Sequence, residues 1–81
     1  MSYFVYILEC SDNTLYTGIA TDVQRRLDEH NNSDKGAKYT KIRRPVKLVY
    51  SEAQEDRSSA SKREYAIKQL TRNKKLDLIN A

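Results

Sequence analysis

Glu64 falls where a carboxylate is costly. In a helix read from about Ser58, the inward positions are Ala60, Ile67 and Leu70, and Glu64 lies four residues after the first and three before the second. A carboxylate on that stripe needs a cation, hydrogen-bond donors or a metal ion; otherwise it sits at the stripe's edge, meeting an arginine or water. Arg26 and His30 are four residues apart and share a helix face beside Val23 and Leu27. Arginine's planar fork suits a phosphate, although a helix arginine is also at home in solvent. His30 is the only histidine and comes near the end of its helix, where a cation is favoured in any case.

Two tyrosines add hydroxyls to this set. Tyr6 and Tyr16 lie in adjacent strand-like runs. If Ser11 to Asn13 form a three-residue turn, Cys10 opposes Thr14 and all even-numbered residues share one face. Both phenols then project together near Gly18. A four-residue turn would separate them unless a bulge restored the register. Downstream, Lys38-Tyr39-Thr40-Lys41-Ile42-Arg43-Arg44-Pro45 interleaves bases with one aromatic ring. Lysine and arginine in such a segment can hold phosphates while Tyr39 stacks on a base; a solvated basic loop is the competing reading.

The elements that must position these groups can be read from local pattern. Tyr3 to Cys10 is rich in β-branched and aromatic residues and has no breaker, which predicts a strand buried on both faces. Thr14 to Ala20 forms the second strand, and Gly18 within it predicts close approach by another backbone or a ligand. Thr21-Asp22-Val23-Gln24 reads as a capping box opening a helix from Asp22 to about Asn31. Residues 32–45 form a long loop with one helical turn near Tyr39. A third strand covers Val46 to Tyr50. Asp56 or Ser58 caps a helix running to about Thr71, and Asn73 caps a short final helix. The order is β-β-α-β-α-α. Two strands joined by so short a turn are antiparallel, which predicts an α+β fold.

Composition bounds the class. Eighty-one residues suit one domain with a modest core, about 60% of the unfolded chain's surface being buried at this size. Cys10 is the only cysteine, so no intrachain disulfide is available, which fits a reducing compartment. The first nine residues lack the pattern of a signal peptide, and Tyr3 to Leu8 is far shorter than a membrane span; the expected location is the cytoplasm. Charge is uneven. Residues 1–34 carry six acids and two bases, whereas residues 35–81 carry thirteen bases and five acids. That asymmetry suits a polyanionic partner, although surface lysines also serve solubility.

Taken in order, these positions resemble the GIY-YIG nuclease domain over nearly the whole chain. Phe4-Val5-Tyr6 stands for the first motif and Tyr16-Thr17-Gly18 for the second, with Phe4 in place of glycine and Thr17 in place of isoleucine. Arg26, His30 and Glu64 follow in the expected order, and Gly36-Ala37-Lys38-Tyr39-Thr40 is similar to the small stand-alone bacterial type (YhbQ/YazA-like). The resemblance implies a three-stranded antiparallel sheet flanked by helices. It also implies a phosphodiesterase site with one Mg2+ or Mn2+ ion on Glu64, a tyrosine (Tyr16 or Tyr6) that helps deprotonate water, and Arg26 on the phosphate. The implied function is a metal-dependent endonuclease acting on DNA, possible RNA included, in repair or recombination. The alternatives are a nucleic-acid-binding module with little turnover and a structural or partner-binding protein. Without an attached recognition domain, selectivity would rest on a protein partner, an oligomer or a branched substrate.

Overall fold

The computed structural model describes residues 2–81. Three strands form one antiparallel sheet in the order β2-β1-β3: β1 is Tyr3–Glu9, β2 is Leu15–Ala20 and β3 is Lys47–Gln54. The helices are α1 (Val23–Asn32), α2 (Lys38–Lys41), α3 (Arg57–Lys68) and α4 (Arg72–Ile79). The chain is therefore α+β in the expected β-β-α-β-α-α order, with the turn near Tyr39 present as α2.

β1 is central, which is why its sequence has no alternation: Val5, Tyr6, Ile7 and Leu8 are all buried. Ser11 to Asn13 make the three-residue hairpin turn. Cys10 and Thr14 close it, with Cys10 N donating to Thr14 O at 2.9 Å. Asn13 occupies the left-handed region at φ 68°, which asparagine tolerates better than most residues. Tyr6 consequently pairs with Gly18 and Leu8 with Tyr16, so the even-numbered residues do share a face. Tyr6, Leu8 and Cys10 pack there with Val46, against Val23 and Leu27 of α1.

The other face packs Val5 and Ile7 against Ala60 and Ile67 of α3, joined by Leu78 and Ile79 of α4. A register shift between Ile7 and Leu8 leaves Val49 as the extra residue of β3, and Val49 and Tyr50 both join this cluster. β3 continues four residues past the expected end at Tyr50. Polar Ser51-Glu52-Ala53-Gln54 has weak strand propensity, but it pairs along the first half of β1. Glu52 is held there by Tyr50 Oη (2.6 Å), Gln54 Nε2 (2.6 Å) and Arg63 Nε (3.1 Å), which ties α3 to β3.

Two helix starts differ from expectation. Asp22, rather than Thr21, caps α1 by accepting from Arg25 N at 3.0 Å, the stronger carboxylate acceptor displacing the hydroxyl. Thr71, rather than Asn73, caps α4 by accepting from Lys74 N. Of the two candidates for α3, Asp56 is the cap.

Candidate active site

The even face of the hairpin carries a buried polar cluster. Tyr6 is 1% exposed and its ring leans across β2, so that a Cβ at Gly18 would stand 2.6 Å from its hydroxyl. Gly18 thus answers the approach of a side chain, not of a backbone or ligand as its position in the strand suggested. Tyr6 Oη lies 2.8 Å from His30 Nε2, and His30 Nδ1 lies 2.9 Å from Thr40 Oγ1. Thr40 in turn donates to the Ala37 carbonyl at 2.9 Å. Tyr16 meets the His30 ring edge-on at 5.2 Å and stacks with Tyr39 at 6.0 Å.

Burial dominates the protonation of this cluster. It pushes the Tyr6 phenol up to about 12, with the neighbouring Tyr16 phenol adding to the rise and the Arg26 guanidinium offsetting part of it. Burial likewise holds His30 down at about 4, and the cationic Arg26 reinforces it. His30 is therefore a neutral ring at physiological pH. The expectation of a favoured cation at the end of α1 fails for this residue because its ring turns into the core. Arg44 supplies that charge instead, donating to the carbonyls of His30 and Ser33, each at 2.6 Å.

Arg26 lies beside the Tyr6 phenol. One of its amino groups, Nη1, donates to Glu29 Oε1 at 3.0 Å and to the Lys35 carbonyl at 2.8 Å. A groove of ≈ 260 Å³ opens at this end of β2, lined by Ile19, Ala20, Arg25, Arg26 and Glu29 among others. Ile19 packs toward α3 and Ala20 toward α1, so the groove wraps the free edge of the sheet.

Glu64 approaches from the opposite face, on α3. Ala60 and Ile67 turn inward, and Arg63 reaches Glu52 on β3. At 100° per residue, Glu64 is on the other flank of that stripe, toward β2. Its side chain is 23% exposed, and among the described residues its one ion pair is with Lys68 Nζ at 3.6 Å. Its charge also reaches the Tyr6 phenol, where it helps retain the proton. Tyr6, Tyr16, His30 and Arg26 thus form one cluster, while Glu64 comes to the same edge strand from beneath it, with no hydrogen bond or ion pair to them among the described residues.

Among the described residues, no three His, Cys, Asp or Glu side chains are grouped to cage a metal. Glu64 fits a different arrangement. Mg2+ is commonly held by one or two carboxylates while keeping water and substrate phosphate as its other ligands. A part-exposed carboxylate that makes, among the described residues, one ion pair of 3.6 Å with a lysine is open to that role.

The basic segment divides. Lys38 and Tyr39 are exposed on α2, and Lys41 makes a long ion pair of 3.8 Å with exposed Asp34. Arg43 is engaged within the protein: it bonds Asp12 (3.0 Å) and the Tyr39 carbonyl (2.9 Å), with its guanidinium 3.9 Å above the Tyr39 ring. Arg43 and Arg44, read as free phosphate contacts, instead brace this loop. Sequence reasoning passed over Thr40, Glu29 and Asn31. Asn31 pairs with both backbone groups of Val46, at 2.9 and 2.8 Å, and so fixes the entry to β3. Thr40 and Asn31 carry no local signal, because His30 and Val46 lie on other segments, whereas Glu29 sits three and four residues after Arg26 and Arg25 on α1, a spacing that could have flagged it.

The chain matches the family described as the GIY-YIG catalytic domain over residues 2–77. It is 61% identical to a UPF0213 protein of Desulfotalea psychrophila, covering 99% of this chain and 73% of that one. It is 62% identical to a UPF0213 protein of Staphylococcus aureus, over 96% and 94% of the two chains. The solution NMR structure of a UPF0213 protein from Bacillus halodurans superposes with a TM-score of 0.63 at 48% identity, covering 99% of this chain and 84% of that one. A second NMR structure, from E. faecalis, gives the same TM-score and identity over 93% and 79%. No helix among the described residues is long and apolar enough to cross a membrane.

Proposed function

The chain belongs to the GIY-YIG family, and from that premise we propose that it is a divalent-metal-dependent endonuclease that hydrolyses phosphodiester bonds in DNA. The observation that carries this reading is the meeting of two phenols and a guanidinium over Gly18, at the strand edge that Glu64 approaches from the other side.

The residues divide the work as follows. Tyr16 makes no side-chain hydrogen bond among the described residues; once its hydroxyl proton has been lost to solvent, the resulting phenolate takes a proton from the attacking water and becomes the phenol again. Tyr6, buried, holds its own proton toward His30 and presents its remaining lone pairs to Arg26, which it helps to position. Arg26 exchanges Glu29 for the phosphate and stabilises the charge that develops on it. Glu64 would hold one Mg2+ or Mn2+ ion. Such an ion, when bound, supplies Lewis-acid stabilisation of the phosphoryl and leaving oxygens. Lys38, Lys41 and Tyr39 form the flanking strand contact, with Arg43 fixing the Tyr39 ring. Recognition of a DNA junction or flap by shape, or a protein partner, gives selectivity.

The test is a cleavage panel of linear, nicked, flapped and branched DNA, with an RNA arm, in Mg2+ or Mn2+. Glu64→Ala is expected to lower the nicking rate by about 10²–10³-fold while the fold persists. Salt-sensitive binding with no metal-dependent nicking would favour a binding module instead. Undiminished nicking by Glu64→Ala would remove the assigned site.

A further inference from the structure

The Tyr6–His30–Thr40 chain has a direction that hydrogen counting resolves. Thr40 Oγ1 carries one hydrogen. It lies 2.9 Å from the Ala37 carbonyl, which can only accept, so that hydrogen is committed there. Toward His30 the hydroxyl therefore presents a lone pair, and Nδ1 at 2.9 Å must bring the hydrogen. A neutral imidazole has one N–H. Nε2 is then bare, and Tyr6 donates to it across 2.8 Å.

All three side chains are sealed from solvent, at 1% exposure for Tyr6 and 0% for His30 and Thr40. The opposite tautomer would set bare Nδ1 against the Thr40 lone pair or oblige Thr40 to abandon Ala37. The Ala37 carbonyl would still accept from Thr40 N and Lys41 N, each at 3.1 Å, but with Nε2 protonated the buried Tyr6 hydrogen would lose its acceptor, and no buried side-chain polar atom is left without a partner among the described residues. The reverse tautomer would also turn the Tyr6 hydrogen away from His30, toward the Arg26 guanidinium, which is itself a donor.

We infer that Thr40 is a positioning residue of this site: it fixes His30 as the Nδ1–H tautomer, so that Nε2 takes the Tyr6 hydrogen and the phenol oxygen presents only lone pairs to the Arg26 guanidinium beside it. The catalytic consequence rests on the nuclease reading above; the tautomer itself does not. Thr40 belongs to α2, the helix that also carries Lys38, Tyr39 and Lys41. The phenol's orientation is therefore set from the segment assigned to strand contact, and a shift of α2 would be felt at Tyr6.

The experiment is a long-range ¹H–¹⁵N correlation of the imidazole at neutral pH in protein labelled at His30, the single histidine, for the unmodified chain, Thr40→Ser and Thr40→Val. The expected result is a protonated Nδ1 and an unprotonated Nε2 in the first two, and loss of that preference in Thr40→Val. Should Thr40→Val not fold, Thr40→Ala takes its place. A protonated Nε2 in the unmodified protein, or an unchanged pattern without the hydroxyl, overturns the inference. In the cleavage assay, kcat falls by about 10–100-fold in Thr40→Val with KM little changed, and Thr40→Ser restores it. A tautomer that switches without any change in kcat would overturn the positioning role. Absence of nicking by every protein would refute the nuclease reading while the nitrogen spectra still decide whether Thr40 fixes the ring.

Discussion

The two faces of the sheet use burial differently. On the α3/α4 face, Val5, Ile7, Ala60 and Ile67 are completely buried and apolar, and the half-buried Glu52 is saturated by Tyr50, Gln54 and Arg63. These bonds hold the Glu52 carboxyl below its ordinary range even though burial opposes that shift most strongly. On the α1/α2 face, a phenol, an imidazole and a threonine hydroxyl take up buried volume that aliphatic side chains could fill. Buried polar groups hold position through directional bonds but add little net stability. One face therefore secures the fold, and the other fixes the orientation of groups at the edge of β2.

That contrast can be broken first at Ile67. Its replacement by Ala should cost about 2–5 kcal/mol in urea unfolding, because it opens a cavity in the apolar cluster. The His30 ring signals should stay unchanged, and their movement would show that the two faces are not separable. Tyr6→Phe should cost less, about 1–3 kcal/mol, since it preserves shape but strands the Nε2 acceptor of His30. A larger loss than that of Ile67→Ala would reverse the proposed division.

The smallest effect concerns acid. His30 titrates near 4 when folded and near 6.5 when free, so the unfolded chain takes up its proton first as pH falls. Stability attributable to His30 is intact above about pH 6.5 and declines from there through the folded value of about 4. Urea midpoints measured between pH 7 and 4 should fall more steeply for the unmodified protein than for His30→Gln. Parallel profiles would show that the ring is charged, or exposed, in the folded state.

Much of the architecture was legible in particular residues. The unbroken run at Tyr3 to Leu8 marked the central strand, since only a strand covered on both sides needs no polar alternation. Ser11-Asp12-Asn13 marked the hairpin turn but left two loop lengths open, and the fold chose the three-residue one that puts Tyr6 and Tyr16 on a shared face. The extension of β3 through Glu52 was not legible, because its support comes from Arg63, eleven residues away on a helix.

The order of motifs, the period-two alternation within each strand and the placement of Arg26 and Glu64 on helices were determined by the sequence alone, since each follows from chain geometry over a few residues. The fate of the polar groups belonged to the tertiary structure. Arg43 and Arg44 look as free as Lys38 until the loop folds back on Asp12 and the end of α1. His30 looks like a surface cation until Tyr6 and Thr40 enclose it. Charge and hydrogen-bond direction depend on desolvation and on partners that only the folded chain brings within 3 Å, and no local pattern encodes those.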